Sequence, residues 1–292
     1  MYRKEADTTD GRAPILGTVT PGLERYCPLL AEQVAALWPG HPPLYYALPD
    51  GRTAPYDRAI PTQATTWTGV LLAGLSFLRA LGATRVFVLL EDHVPLWPCD
   101  ARLVDAICRI AARENLHCVF FNKYDWPWRS TEHRIDAEGR VSGWRRIDIV
   151  SVGGRRLARM PSDFVCYNQC QPAIWNLDYL AALLTEAARR GVDDPWAFER
   201  FSMPDQPPHY VSEYRWPSRH CGYRRRGRVY LRALYTMKLP EGRALRDALL
   251  RERFSGAPAS LRRALGEGFR LWGRVRRMPE CFERRPALIA RP

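Results

Sequence analysis

The chain has 292 residues, of which 46% are hydrophobic and 11% aromatic. This composition excludes a disordered or low-complexity protein and is typical of a globule with one or two domains. The opening residues lack the apolar run of a signal peptide, and no stretch approaches the roughly 18 apolar residues of a membrane span, so we expect a cytoplasmic protein.

The charge is unevenly distributed. Residues 1–205 carry 23 Lys and Arg against 24 Asp and Glu, whereas residues 206–292 carry 21 against 7. The net charge of +13 therefore arises entirely in the last part of the chain, which indicates a separate functional surface. We predict a first domain at residues 1–205, large enough to be catalytic, and a basic, helical extension at residues 206–292. The eight cysteines are scattered without the CxxC pairs of a zinc site, which predicts mostly buried free thiols.

The first half of the chain alternates between strand and helix patterns. A strand around residues 15–19 is followed by a helix at about 26–37 and a strand at 44–48. The strongest helical stripe comes next, with apolar side chains at offsets of four and three: Trp67, Leu71, Leu75, Leu78 and Leu81. An apolar run at 85–90 predicts a buried central strand, and a helix at about 101–113 and a strand at 118–121 follow. This alternation predicts an α/β fold, with a Rossmann-like, mainly parallel open sheet flanked by helices.

The second half is less regular. Residues 124–160 show no clear periodicity and receive no predicted element. Apolar residues from Trp175 to Ala187 predict a helix that runs to Arg190, and Pro195 is well placed in the first turn of another short helix.

The acidic tripeptide Glu91-Asp92-His93 follows the predicted central strand directly. Open α/β sheets bind ligands where their strands end. Glu91 and His93, separated by one residue, could ligate a divalent cation against a diphosphate, while Asp92 could meet the sugar or the ribose. The alternative is a polar strand end that caps the next helix.

Two further motifs carry a family resemblance. Gln171-Pro172-Ala173-Ile174-Trp175 is followed by Pro195-Trp196-Ala197-Phe198-Glu199. Together with the strand that ends in Glu91-Asp92-His93, they resemble a bacterial family of GT-A glycosyltransferases of lipopolysaccharide and capsule biosynthesis. The likeness covers about residues 14–201. In the family the strand ends in Asp-Asp-aromatic, so Glu91 and His93 replace an acid and an aromatic residue.

The resemblance implies a GT-A fold and a nucleotide-sugar donor held with Mn²⁺ or Mg²⁺ at Glu91 and His93. It places Thr18 and Thr20, which follow the first strand, where such proteins hold the nucleotide, and it places Gln171 in the acceptor pocket. The acceptor is expected to be a glycan, in particular a lipid-linked one.

An inverting transferase needs a carboxylate that accepts the proton of the acceptor hydroxyl. Glu199 is the first candidate, because two aromatic residues of its motif could shield it from water, and Asp194 and Asp178 are the next. The aromatic rings of Trp175 and Trp196 could stack on a sugar, although single tryptophans are commonly core residues.

The basic end of the chain allows other interpretations. Arginines at 215–232 alternate with Trp216, Tyr223 and Tyr230, a pattern that could bind single-stranded nucleic acid. Two predicted amphipathic helices, one with Leu245, Leu249, Leu250 and Phe254 and one at about 261–271, suit an anionic membrane surface on the inner face of the membrane. We expect no specific nucleic acid partner, since residues 1–205 resemble no nucleic-acid module. The altered metal motif also leaves open a catalytically inactive scaffold of the same fold.

Overall fold

The computed structural model describes residues 12–19, 21–122, 131–135, 141–146, 148–160 and 167–217, and then 224–225, 228–229, 243–256, 258, 260–261 and 264. The chain divides into two units, Met1–His220 and Cys221–Pro292. The first unit thus extends beyond the predicted boundary at residue 205, because a strand that follows this boundary belongs to its sheet.

Short strands and helices alternate along the first unit. Its strands are β1 (Ile15–Thr18), β2 (Leu44–Leu48), β3 (Ala59–Pro61), β4 (Arg85–Val88), β5 (Cys118–Asn122), β6 (Thr131–Ile135), β7 (Val141–Arg146), β8 (Asp148–Val152), β9 (Arg155–Arg159), β10 (Ala173–Asn176) and β11 (Tyr210–Arg215). Its helices are α1 (Cys27–Leu37), α2 (Trp67–Ala80), α3 (Ala101–Arg113), α4 (Leu177–Arg189) and α5 (Pro195–Arg200), with single 3-10 turns at Glu24–Tyr26 and Glu91–His93.

Nine of the described strands form one sheet in the order β3-β2-β1-β4-β10-β5-β11-β9-β8. The pairs β1–β2, β2–β3, β1–β4 and β5–β11 are parallel. β10 runs antiparallel to both of its neighbours, and β9 runs antiparallel to β8 and β11. The predicted α/β class with an open, flanked sheet is confirmed, and an antiparallel strand at its centre is an addition that the sequence did not indicate. We call the edge where the parallel strands end the carboxyl edge, and the edge where they begin the amino edge.

Helices α2 and α4 pack together on one face of the sheet, through buried leucines that include Leu71, Leu75, Leu180 and Leu184. The predicted stripe of α2 therefore marks its core side. On the other face an aromatic cluster is buried, with ring centroids 5.1–5.8 Å apart, and it consists of Trp38, Phe87, Phe121 and Trp216. Helix α3 packs beside it, against β5, β10 and β11.

Gly17 allows a close approach near the end of β1. A Cβ atom at this position would lie 2.7 Å from the carbonyl oxygen of Leu89 and 2.8 Å from the ring of Tyr46. Real Cβ contacts are not this short, so only glycine lets the Tyr46 ring lie across β1 next to the residues that follow β4. This packing places Tyr46 beneath the loop that carries Glu91.

The region without a predicted element forms two hairpins. β6 pairs with β7, and β8 pairs with β9 and joins the main sheet. The turn between β8 and β9 is Gly153-Gly154, and both residues have positive φ angles, 57° and 78°. Two glycines of this conformation suit a two-residue hairpin turn. Most residues of β8 and β9 are exposed or half-buried, so these strands lack the apolar run that predicts β4.

In the second unit the structure describes β12 (Arg224–Arg225), β13 (Arg228–Val229) and α6 (Arg243–Arg253). Helix α6 confirms the first of the two predicted amphipathic helices, but its Leu245, Leu249 and Leu250 are buried. Its apolar side is therefore occupied by protein and is not available to lipid, contrary to the membrane interpretation of this helix. Most of the second predicted helix lies outside the described residues. In the part of the chain that the structure covers, no helix is both long and apolar enough to cross a membrane.

Candidate functional site

The direction of the chain reverses at β1. From β1 it runs outward through β2 and β3, and it then returns to β4 on the other side of β1. Between two strands whose connections lead in opposite directions, a crevice opens beyond the carboxyl ends, and open α/β sheets bind ligands there. Thr18 ends β1, and Glu91 is the third residue after the end of β4. The topology thus places both predicted donor-site positions at this crevice.

Two hydrogen bonds hold the Glu91–His93 turn in place. The backbone N–H of His93 donates to the carbonyl oxygen of Leu90 at 3.0 Å, and the carbonyl oxygen of His93 accepts from the indole N–H of Trp216 at 2.8 Å. The residues themselves are little exposed, Glu91 at 8% and His93 at 4%. The aromatic cluster therefore sets the position of this turn.

A group of polar side chains lies beneath the turn. Burial raises the pKa of the Cys27 thiol to about 12, and the carboxylates of Glu24 and Glu91 add to this shift. Burial also raises the pKa of Tyr46, with a smaller contribution from Glu91. The Tyr46 hydroxyl has no hydrogen-bond partner among the described residues. The floor of the crevice thus contains a buried hydroxyl, that of Tyr46, whose pKa is raised in part by the charge of Glu91.

Glu24 has its own partners at this edge. Burial disfavours its charged form, but hydrogen bonds from the Gly22 backbone at 2.8 Å and from Arg52 at 2.9 Å outweigh that effect, and its pKa is lowered. The ion pair connects the start of α1 to the loop after β2. Arg52 thereby places a half-exposed guanidinium at the carboxyl edge.

The described side chains do not by themselves form a metal centre. Within the described ranges, no three His, Cys, Asp or Glu side chains lie close enough together to hold an ion. Glu91 and His93 are nearly buried, and the side chain of Asp92 and the whole of Thr20 lie outside the described residues. The predicted Mn²⁺ or Mg²⁺ site therefore gains no support, and the chemistry proposed for this chain relies on its own residues.

Helix α5 brings the first candidate base to the same edge. Its cap is Asp194, whose carboxylate accepts from the Ala197 N–H at 2.9 Å. Glu199 is half-buried, and its carboxylate accepts from the backbone N–H of Cys170 at 3.0 Å. Because β10 is antiparallel and begins opposite the end of β4, the segment that includes Gln171 lies at the carboxyl edge as well. The structure thus joins Glu199 to the segment that contains Gln171, next to the strand that precedes Glu91.

Three of the predicted site residues have other surroundings. Trp175 is 2% exposed and packs edge-on against Phe120 and His209, so it is a core residue and not a sugar platform. Asp178 follows β10 at the amino edge, where its 82% exposed side chain pairs with Arg79. Asp194 is a helix cap. Trp196 alone of the two tryptophans is accessible, at 62% exposure.

A buried polar network was missed. The His209 ring stacks on Tyr167 at 4.4 Å; its Nδ1 faces the Tyr167 carbonyl oxygen at 3.2 Å and its Nε2 faces the Tyr179 hydroxyl at 2.9 Å. Because a carbonyl oxygen only accepts, Nδ1 carries the proton, and Nε2 accepts from Tyr179. Gln206 extends the network by donating to Tyr179 and Asn168. These residues hold the segment before β10 in place, and no spacing in the sequence signals them.

The buried His209 predicts acid sensitivity. Burial is the main cause that lowers its pKa, from 6.5 to about 3, so the folded protein keeps it neutral while the unfolded chain takes up a proton below about pH 6.5. Its contribution to stability is complete above that pH and is lost as the pH falls toward 3. Between pH 7 and pH 5 we expect the free energy of unfolding to fall by about 2 kcal/mol from this group.

Urea unfolding of the wild type and of His209→Gln at both pH values measures this effect. The variant should be less stable at pH 7, and its stability should change less between the two pH values. An equal pH dependence in both proteins would show that His209 does not cause it.

Comparisons with known proteins do not assign the chain to a family. No family model and no curated protein matches the chain. Among solved structures, a CMP:2-keto-3-deoxy-manno-octonic acid synthetase complexed with CTP matches at 10% identity, over 68% of this chain and 88% of that one, with a TM-score of 0.32. A likeness this weak does not establish a shared fold or function.

Proposed function

We propose that the chain is a GT-A type glycosyltransferase that moves a sugar from a nucleotide-sugar donor to a glycan acceptor, in particular a lipid-linked one, with inversion. The observation that carries the proposal is the crevice at the reversal point of the sheet, with Thr18 and Glu91 at its strand ends and Glu199 and Gln171 brought to the same edge. The sequence resemblance supplies the reaction class.

In the proposed reaction the acceptor hydroxyl attacks the anomeric carbon. The new bond forms between that oxygen and the anomeric carbon, the bond from the anomeric carbon to the diphosphate breaks, and the nucleoside diphosphate leaves with the bonding electrons. Glu199 takes the hydroxyl proton. The Cys170 N–H, which donates to the Glu199 carboxylate, keeps that carboxylate in one orientation. Trp196, one turn earlier on α5, is the accessible ring that the sugar could stack on.

A catalytically inactive scaffold is the second candidate. The near burial of Glu91 and His93 favours it, because side chains enclosed to this extent contribute little to ligand binding without movement. The nucleic-acid alternative loses support at Trp216, which packs inside the aromatic cluster and offers no face to a base. Three of the six arginines in that run beyond residue 217, Arg219, Arg226 and Arg232, lie outside the described residues.

Release of nucleoside diphosphate tests the proposal. The purified chain is mixed with each of a panel of sugar nucleotides and a lipid extract that contains glycan acceptors, and the release is measured with and without Mn²⁺. We expect release from one nucleotide class that depends on the extract. Asp178→Asn is the matched control, since its exposed carboxylate at the amino edge should not affect the rate. No release from any donor would favour the inactive scaffold.

A further inference from the structure

A second cavity lies at the amino edge, away from the crevice described above. Its volume is about 1120 Å³. Its walls come from the residues before β1, the start of β4, and the second half of α3. The carboxyl-edge residues Thr18, Glu91 and Glu199 are not among its lining residues, so the two sites are distinct. Its size is that of pockets that bind small molecules.

Positive charge dominates the cavity lining. Four arginines contribute to it, Arg12, Arg85, Arg109 and Arg113, against a single acidic residue, Asp105. Arg113 is paired with the carboxylate of Glu114 at 2.9 Å, and Arg12 donates to the carbonyl oxygen of Gly40. An imbalance of this kind in a concave site attracts anions.

Arg85 and Arg109 lack an anionic partner. Arg85 donates to the carbonyl oxygen of Leu116 at 2.7 Å and to the side-chain oxygen of Asn115 at 3.4 Å, both of which are neutral. Burial lowers the pKa of the Arg85 guanidinium. Arg109 makes no hydrogen bond or ion pair with any described residue, and its side chain is exposed. An anion in the cavity would give both guanidinium groups charge-assisted hydrogen bonds.

The remaining walls are largely apolar. Their accessible apolar surface includes the half-buried side chains of Ala13, Ala83 and Ala106, whereas Trp38, Phe87 and Ile174 border the cavity but are buried. A small inorganic anion would leave these walls without contacts, whereas a molecule with an apolar body would cover them. The lining therefore combines an anion-binding end with a hydrophobic surface.

We propose that this cavity binds a small amphipathic anion, a phosphate or carboxylate attached to an aliphatic or aromatic body, with its acidic group between Arg85 and Arg109. The site is independent of the donor crevice, so its test does not involve nucleotides or sugar transfer.

The test is a fluorescence titration of the full chain with 8-anilino-1-naphthalenesulfonate, an aromatic anion whose emission rises in apolar sites. Its neutral analogue N-phenyl-1-naphthylamine reports apolar binding alone. Arg109→Gln is the main variant, because an exposed side chain without partners can be changed without loss of folding, and Arg85→Gln is the second. Arg102→Gln is the matched control, since Arg102 is exposed on the same helix outside the cavity.

We expect each cavity variant to bind the anionic probe about tenfold more weakly than the wild type, with a much smaller loss of affinity for the neutral analogue. Arg102→Gln should bind both probes with wild-type affinity. Decyl phosphate or decanoate should displace the probe, and 1-decanol should not; the more effective of the two anions identifies the head group. Equal affinity of all variants for the anionic probe, or no binding by the wild type, would overturn the proposal.

Discussion

Replacing Trp216 with alanine is expected to lower the free energy of unfolding by about 3–5 kcal/mol. Its indole lies within 5.8 Å, centroid to centroid, of the rings of Trp38, Phe87 and Phe121. Alanine would leave a cavity among these rings and would remove the donor to the His93 carbonyl oxygen. Urea unfolding followed by circular dichroism measures the loss.

Trp216→Phe separates the contributions of packing and hydrogen bonding, and Trp196→Ala is the control for loss of an exposed tryptophan. Trp216→Phe retains most of the packing but leaves the His93 carbonyl oxygen without its donor, which should cost about 1–3 kcal/mol. Trp196→Ala removes an indole that is largely exposed and should change stability by only about 0.5 kcal/mol. Wild-type stability in Trp216→Ala would contradict the role of the aromatic cluster as the support of the Glu91–His93 turn.

Changing Glu199 to glutamine is expected to slow sugar transfer by about 10²–10⁴-fold. Glutamine retains an oxygen that can accept from the Cys170 N–H, so the segment before β10 should keep its position. It cannot take a proton at neutral pH. The rate should therefore fall while the thermal midpoint and the affinity for the nucleotide stay close to those of the wild type.

Glu199→Ala provides the comparison, because it removes the acceptor of the Cys170 N–H as well as the base. If Glu199→Gln transfers sugar at the wild-type rate and Glu199→Ala does not, Glu199 positions the Cys170 segment and is not the base. The proton would then have to go to a group other than Glu199.

The sequence predicted those elements that bury either a periodic apolar stripe or an unbroken apolar run. The stripe from Trp67 to Leu81 corresponds to α2, which ends at Ala80 with Leu81 as its C-cap, and the apolar run that begins at Arg85 corresponds to β4, whose consecutive residues Val86, Phe87 and Val88 are all buried. The two hairpins at 131–159 show neither signal; most residues of β8 and β9, for example, are exposed or half-buried. The two glycines at 153–154 were the available indication of one of them.

The misplaced site residues share a topological cause. The predicted helix from Trp175 to Arg190 corresponds to α4, but its first two residues belong to the antiparallel strand β10, and Asn176 caps α4. Spacing along the chain does not reveal the direction of a strand in a sheet. That direction moved Asp178 to the amino edge and Trp175 into the core. The same direction brought Gln171, together with Glu199, to the carboxyl edge.

Nucleotide binding at the carboxyl edge is the central claim, and thermal unfolding tests it most directly. The midpoint is measured with nucleoside diphosphates and sugar nucleotides, each with and without Mn²⁺, on the wild type, His93→Ala and the control Asp178→Asn. A ligand at 100 times its Kd should stabilise the fold by about 2.7 kcal/mol. We predict a rise of several degrees with one nucleotide class, retained in Asp178→Asn and lost in His93→Ala. No rise with any nucleotide, or an equal rise in His93→Ala, would contradict a donor site at this turn.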